Sequence, residues 1–236
     1  KDHYDAVALV HNETSTGVRN PIEGIAEVVK DYPDTLFLVD AVSSLLGDKI
    51  EIEKLGIDVC LASVQKCFAL PPGMAVCVVS EKALNRSGEV TDKGYYFDFL
   101  VFKKYWEDRK QTPTTPCISI IQALDYQLDK IKSEGVENRY NRHKEMAGVV
   151  QDWARKYFAM FSEEGYHSLT VSAITNNRSI SVADLNKELG KQGYMISNGY
   201  GKLKEKTFRI AHMGDLTADD VKDLLGRIDS ILHLGG

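Results

Sequence analysis

A chain of 236 residues is long enough for one large domain or two smaller ones with a sizeable core. Hydrophobic residues make up 43% and charged residues 27%, an ordinary globular balance, and no apolar run approaches the ~20 residues of a membrane-crossing helix. The net charge of −5 argues against a nucleic-acid partner; the one basic cluster, Lys103-Lys104 with Arg109-Lys110, is broken by Glu107 and Asp108 and reads as a solvated face. Cys60, Cys67, Cys77 and Cys117 sit in apolar surroundings without a C-x-x-C pair, and read as buried, reduced thiols of a cytoplasmic protein. The sequence opens at Lys1-Asp2-His3-Tyr4, with no initiator Met, which leaves targeting unread.

The first element is the apolar run Ala6-Val7-Ala8-Leu9-Val10, which predicts a strand buried on both faces. In the helix that follows, Asn20 is expected as N-cap, Pro21 suits the first helical position, and Glu23 completes a capping-box-like pattern. Ile22, Ile25, Ala26 and Val29 share one face of that helix. Leu36-Phe37-Leu38-Val39 predicts a second buried strand ending at Asp40, and a short crossover around Ile52–Gly56 leads to a third, Val59-Cys60-Leu61-Ala62. Strands alternating with crossovers in this way predict a parallel sheet. The fourth run, Ala75–Val79, follows too closely for a helical crossover and is expected antiparallel to the third.

A Thr- and Pro-rich stretch near residues 105–116 marks the expected boundary between residues 1–110 and 111–236. Beyond it, Ile121, Leu124, Leu128 and Ile131 mark one long helix and Asn138 to Phe161 another. A smaller α/β unit follows. It has a strand at Leu169–Ala173, a helix capped by Ser181 with Asp184 that stops near Gly193, and a strand at Thr207–Ala211. The last helix is capped by Thr217 with Asp220 and carries Val221, Leu224, Leu225, Ile228 and Ile231.

Three polar sites fall at the carboxyl ends of the three parallel strands: Thr14-Ser15-Thr16-Gly17, Asp40, and Ser63 to Lys66. In open α/β sheets that edge is where ligands bind. A carboxylate there holds a positive charge in a low-dielectric crevice, a lysine serves as an amine nucleophile toward a carbonyl, and hydroxyls bond a ligand oxygen. Lysine for a Schiff base and Asp for a pyridinium nitrogen are the pair that pyridoxal phosphate requires. On spacing alone a generic nucleotide-binding α/β domain stays open beside that reading, although neither G-x-G-x-x-G nor G-x-x-x-x-G-K-[ST] occurs. His3, His11, His143, His167, His212 and His233 have no H-E-x-x-H or similar spacing, so no metal site is expected.

At these same residues the sequence resembles a known family. His11-Asn12-Glu13-Thr14-Ser15-Thr16-Gly17-Val18, then Val39-Asp40-Ala41-Val42-Ser43-Ser44-Leu45, then Ser63-Val64-Gln65-Lys66-Cys67 through Pro71-Pro72-Gly73, look like the alanine/serine–glyoxylate aminotransferase group of the class V aminotransferases. The resemblance implies pyridoxal-phosphate fold type I, with part of a large α/β domain built on a mainly parallel sheet and then a small C-terminal α/β domain. Carried over, Lys66 is similar to the lysine that bears the cofactor and Asp40 to the partner of its ring nitrogen. Val42 would pack on one face of the ring, Thr14 would bond near its 3′ oxygen, and Gln65 would lie beside the lysine. Thr114 corresponds to a residue that reaches the cofactor phosphate of the partner subunit, which implies a homodimer; many relatives carry a Tyr where Gln111 stands here. Arg209 resembles the arginine that forks the substrate α-carboxylate, a task that suits a planar guanidinium.

The activity so implied is ping-pong transamination between an amino acid (alanine or serine) and a 2-oxoacid (glyoxylate or pyruvate). Phosphoserine aminotransferase is an alternative, through its similar Asn-Glu-Thr string at Asn12–Thr14. Cysteine desulfurase is another, but it needs a reactive Cys on a mobile loop, and none of the four cysteines lies in a loop-like polar stretch. Family members begin well before Lys1, in a part that holds a Gly-rich phosphate loop and a ring-stacking aromatic. Neither motif occurs in these residues, so the chain is expected to be a piece of a longer protein and, alone, a non-catalytic fragment.

Overall fold

β1 (Ala6–Val10) runs into a short hairpin, β2 (Asn12–Glu13) and β3 (Val18–Arg19), and then into α1 (Ile22–Val29). β4 (Leu36–Asp40), β5 (Val59–Ser63) and β6 (Ala75–Val79) complete a sheet in the order β1-β4-β5-β6. The computed structural model describes residues 4–235, so the opening Lys1-Asp2-His3 and Gly236 lie outside the described residues. β1, β4 and β5 are parallel and β6 is antiparallel to β5, as the spacing of the runs predicts.

Alternation along these strands sets the packing. Phe37, Val39 and Cys60 are buried against Ile22 and Ala26 of α1. The opposite face is open: Ala6, Ala8, Val10, Leu61 and Cys77 are exposed. Burial of the first strand on both faces is therefore corrected, since only its Val7 and Leu9 side packs on the core. The same open face accounts for Cys77, which with Cys117 is exposed rather than buried; Cys60 and Cys67 are buried, and all four are free thiols.

The cap of α1 also differs from expectation. Pro21 occupies the N-cap position without a side-chain bond, because Asn20 turns away and donates its amide to the Val10 carbonyl, 2.7 Å. α2 (Glu81–Glu89) and α3 (Phe99–Arg109) follow β6; α2 buries only Ala83, and α3 buries no side chain. α4 (Ile118–Glu134) and α5 (Val136–Tyr157) are the two long helices. α5 stops short of Phe161 because Phe158 leaves helical geometry, and β7 (Ala159–Met160) then pairs with β8 (Val171–Thr175).

The second sheet is antiparallel, in the order β7-β8-β10-β9, with β9 at Ser197–Asn198 and β10 at Thr207–Ala211. It is covered by α5, α6 (Val182–Gly190) and α7 (Ala218–Leu232). Ser181 caps α6, and Thr217 with Asp220 forms the full capping box on α7, as their sequences predict. Met146, Val150 and Trp153 of α5, Ile174 of β8, Phe208 of β10 and Ile228 of α7 form its core. Among the described residues no helix is long and apolar enough to cross a membrane, and no group of three or more metal-ligating side chains is gathered.

Candidate active site

The parallel register brings three chain positions to one edge of the first sheet. Val10, Asp40 and Leu61 are neighbours across β1, β4 and β5, so the segments that follow those strands emerge side by side. Asp40 is the last residue of β4, half-buried, and its Oδ1 accepts from the Val42 N–H at 2.9 Å. That bond curls the chain after the strand and leaves Val42 half-buried next to the carboxylate. Lys66 stands in the turn after β5, half-buried, with Gln65 exposed beside it and accepting from the Ser63 hydroxyl. Among the described residues neither the second Asp40 oxygen nor Lys66 Nζ has a hydrogen-bond or ion-pair partner.

Thr14 reaches the same edge by another route. The β2–β3 hairpin leans on the second sheet, where Gly17 has φ +67° and a Cβ on it would lie 2.8 Å from the Ala173 nitrogen, so only glycine fits. Buried Asn12 fastens the joint. Its amide donates to the hydroxyls of Ser168 (2.9 Å) and Thr170 (3.0 Å) and, at 3.3 Å, to the Ser43 carbonyl. Thr170 donates to that carbonyl too, while the Ser43 hydroxyl lies 2.6 Å from Thr14 Oγ1. Glu13 closes the turn, accepting from the Ser15 hydroxyl (2.7 Å) and amide (2.8 Å). These bonds, and then the charge of Arg209, hold its carboxyl below the usual range.

Arg209, on β10, crosses from the second sheet to this hairpin. Its Nε and Nη2 both donate to the Asn198 carbonyl, at 3.3 and 3.2 Å, and Nη1 donates to the Thr14 carbonyl at 3.1 Å. Three of its five N–H groups are thus taken by main-chain oxygens, leaving one on each terminal nitrogen. No described carboxylate lies within ion-pair distance of it. A structural ion pair, the plain alternative for an arginine in an apolar strand, is absent among the described residues.

Thr14, Asp40, Val42, Gln65, Lys66 and Arg209 therefore gather around the carboxyl edge of the first sheet and the hairpin beside it. Thr114 does not join them within this chain. It is exposed in the link between α3 and α4, where its carbonyl accepts from the Thr112 hydroxyl at 2.7 Å. Sequence reasoning gave no role to Asn12 and Ser43, which hold Thr14 in place; their position inside the first two motifs was the available signal. A carboxylate with one oxygen free and an amine without a partner among the described residues, at one sheet edge, suit the ring nitrogen and the carbonyl of pyridoxal phosphate, so the residues present fit that cofactor.

The family model for Aminotransferase class-V matches residues 1–224. An uncharacterized aminotransferase of Methanocaldococcus jannaschii is 44% identical over 219 residues, 90% of this chain and 57% of the relative. The serine–glyoxylate aminotransferase of Arabidopsis thaliana is 31% identical over 96% of this chain and 58% of its own length. The crystal structure of an alanine–glyoxylate aminotransferase from Nostoc sp. superposes with a TM-score of 0.89 at 27% identity, over 97% of this chain and 62% of that one. The chain thus spans under two thirds of the length of these proteins, and within that span it has the fold type I architecture. With a match across 224 residues, the chain belongs to the class V aminotransferases, whose cofactor is pyridoxal phosphate.

Proposed function

We propose that the protein carrying this chain is a transaminase that exchanges an amino group between alanine or serine and a 2-oxoacid, glyoxylate or pyruvate. The observation that carries the reading is Arg209, held by two main-chain carbonyls with a donor left on each terminal nitrogen and no acidic partner among the described residues. Such a pair of donors suits the α-carboxylate that an amino acid and its 2-oxoacid have in common. The choice of glyoxylate follows the names of the relatives, and the small amino donors follow the sequence resemblance.

When bound, pyridoxal phosphate supplies an electron sink for the α-carbon. Lys66 would hold the cofactor through its amine, and its free amine would move the α-proton. Asp40 keeps the proton on the ring nitrogen. Val42 would pack on the ring, Thr14 would bond beside it, and Gln65 would line the lysine's side. Arg209 holds the carboxylate and so fixes which bond at the α-carbon faces Lys66. Thr114, exposed and apart from this group, is suited to reach the phosphate of a partner subunit's cofactor in a homodimer. On this reading residues 1–110 belong to the large domain and 111–236 to the connecting helices and small domain. Free thiols suit a cytoplasmic setting, with Cys60 and Cys67 pushed by burial to about 11 and about 12.

The test is chemical. Borohydride treatment of the protein in the presence of pyridoxal phosphate, followed by peptide mapping, is expected to put the pyridoxyl group on Lys66. Labelling at Lys82 or another lysine instead refutes the assignment.

A further inference from the structure

Against the Lys66 turn lies a buried arginine that the chemistry above does not use. Within the turn Ala69 N–H donates to the Lys66 carbonyl (2.9 Å) and Leu70 N–H to the Val64 carbonyl (3.0 Å). The Cys67 carbonyl takes its bond from Arg139 Nη2 of α5, at 2.6 Å. The turn also contains Ala69 at φ +59°, a left-handed conformation that a residue with a side chain rarely holds unless its surroundings enforce it.

Arg139 is 1% exposed. A buried cation is costly unless its charge is met, and here two carboxylates meet it: Glu134 at 2.9 Å, and Asp215 Oδ1 at 3.3 Å from both terminal nitrogens. Asp215 is itself gripped by Gln127 (2.8 Å) and Lys130 (2.7 Å). It lies six residues after Arg209, in the loop that continues β10. That loop rests on the lysine turn: Gly214 has φ +78°, and a Cβ on it would lie 3.1 Å from Ala69 Cβ and 3.4 Å from the Lys66 carbonyl. Arg142, one helical turn beyond Arg139, shares Glu134 and donates to the Gly214 carbonyl at 3.1 Å. One guanidinium thus bonds both to the turn that carries Lys66 and to the loop that leaves the Arg209 strand.

We infer that Arg139 is a positioning residue, which fixes the Lys66 turn against the Arg209 strand and so sets the distance between the amine that moves the proton and the guanidinium that holds the carboxylate. The inference rests on the assignment of Lys66 and Arg209 above. A neutral residue of similar volume would avoid the cost of a buried charge, but it would leave the Cys67 carbonyl without this donor and the turn free to shift.

The experiment compares Arg139→Lys, Asp215→Asn and a control, Trp153→Phe, in the protein that carries this chain. The control removes the Trp153 bond to Asp229 (2.7 Å) in the separate core of the second sheet. Four readouts are taken: borohydride labelling of Lys66, visible circular dichroism per bound cofactor, amide hydrogen exchange across residues 63–70 without cofactor, and the split between kcat and KM. Arg139→Lys is expected to label on Lys66, to change the visible dichroism, to speed exchange in the turn, and to lower kcat about 10- to 100-fold with KM nearly kept, as a small misplacement of reacting groups does. Asp215→Asn is expected to act in the same direction, and it carries the test if Arg139→Lys does not fold. Trp153→Phe is expected to lower Tm while leaving all four readouts at wild-type values. Wild-type dichroism, exchange and kcat in the folded Arg139 and Asp215 variants overturn the inference alone, as does an equal loss in Trp153→Phe. Failure of the wild-type protein to label on Lys66 overturns the site reading and this inference with it.

Discussion

Arg209→Lys separates recognition of a carboxylate from mere positive charge. In the wild-type arrangement Nε and Nη2 hold the Asn198 carbonyl, Nη1 holds the Thr14 carbonyl, and one N–H on each terminal nitrogen remains for a ligand. Lysine brings three donors on a single atom, so it cannot keep two carbonyls and also present a planar pair. At least one charge-assisted hydrogen bond is lost, worth about 1.5–3 kcal/mol. At ~1.4 kcal/mol per tenfold, kcat/KM should fall roughly 10- to 150-fold for the amino acid and for the 2-oxoacid alike, because the carboxylate is common to both. The assay is steady-state kinetics on alanine and glyoxylate, normalised to the visible absorbance of cofactor on Lys66, which the substitution should leave unchanged. A kcat/KM within twofold of wild type for both substrates would refute the role given to Arg209. A loss confined to one substrate would refute the argument from the shared carboxylate.

Asp40→Asn keeps an oxygen for the Val42 N–H, so Tm should barely move, while the stopped-flow half-reaction with amino acid should slow by about 100-fold or more, as when a charge-stabilising group is removed; an unchanged half-reaction contradicts the role of Asp40. Gly199→Ala would put a Cβ 2.0 Å from the Leu203 carbonyl oxygen, so the loop holding the Asn198 carbonyl must move. Calorimetry should record a loss of about 1–3 kcal/mol, with weakened substrate binding but unaltered labelling of Lys66. His143 and His212 are pushed down by burial to about 4 and about 3. Unfolded they titrate near 6.5, so unfolding takes up protons below that pH. The stability they contribute is full above about pH 6.5 and falls by up to about 1.4 kcal/mol per unit for each histidine toward pH 4. Denaturant unfolding from pH 7 down to about 4.5 measures the slope, and a flat profile refutes it.

The first sheet was legible because its strands are short apolar runs separated by crossovers of the right length, and its polar strand ends singled out one edge before any contact was known. The second sheet was legible from its caps: Ser181 and Thr217 act as their neighbours suggest. Exposure was read less well. An apolar run identifies a strand but not what covers it, so β1 was expected to be covered on both faces, and Cys77 went with it. Helices α2 and α3 escaped notice because α2 carries only Ala83 and Leu84 as apolar residues and α3 opens on an apolar block, Phe99-Leu100-Val101-Phe102, rather than a periodic stripe. In the proposed site, the side chains assigned to ligands fall in motifs, but the partners that hold those motifs lie far away in sequence. Asn12 joins residues 156 and 158 positions apart, and Arg139 meets a carbonyl 72 positions away. Such partners become visible only once the chain is folded.

The two sheets contribute different parts of the proposed site, and the contact between them sets its geometry. Asp40 and Lys66 come from the first sheet, and Arg209 comes from the second. If Arg209 were anchored only on its own sheet, its donors would move with every shift between the two. Instead it bonds to Asn198 on one side and to Thr14 on the other, while Thr14 is tied through Ser43 to the segment that follows Asp40. Asn12 and Thr170 lock the Ser43 carbonyl from beneath. The free donors of Arg209 are therefore set relative to Asp40 without a ligand, and on the proposed reading a carboxylate would find few rotamers left to freeze. That preorganisation explains why hydroxyl and amide side chains, rather than apolar ones, fill this joint: each fixes a direction as well as a distance.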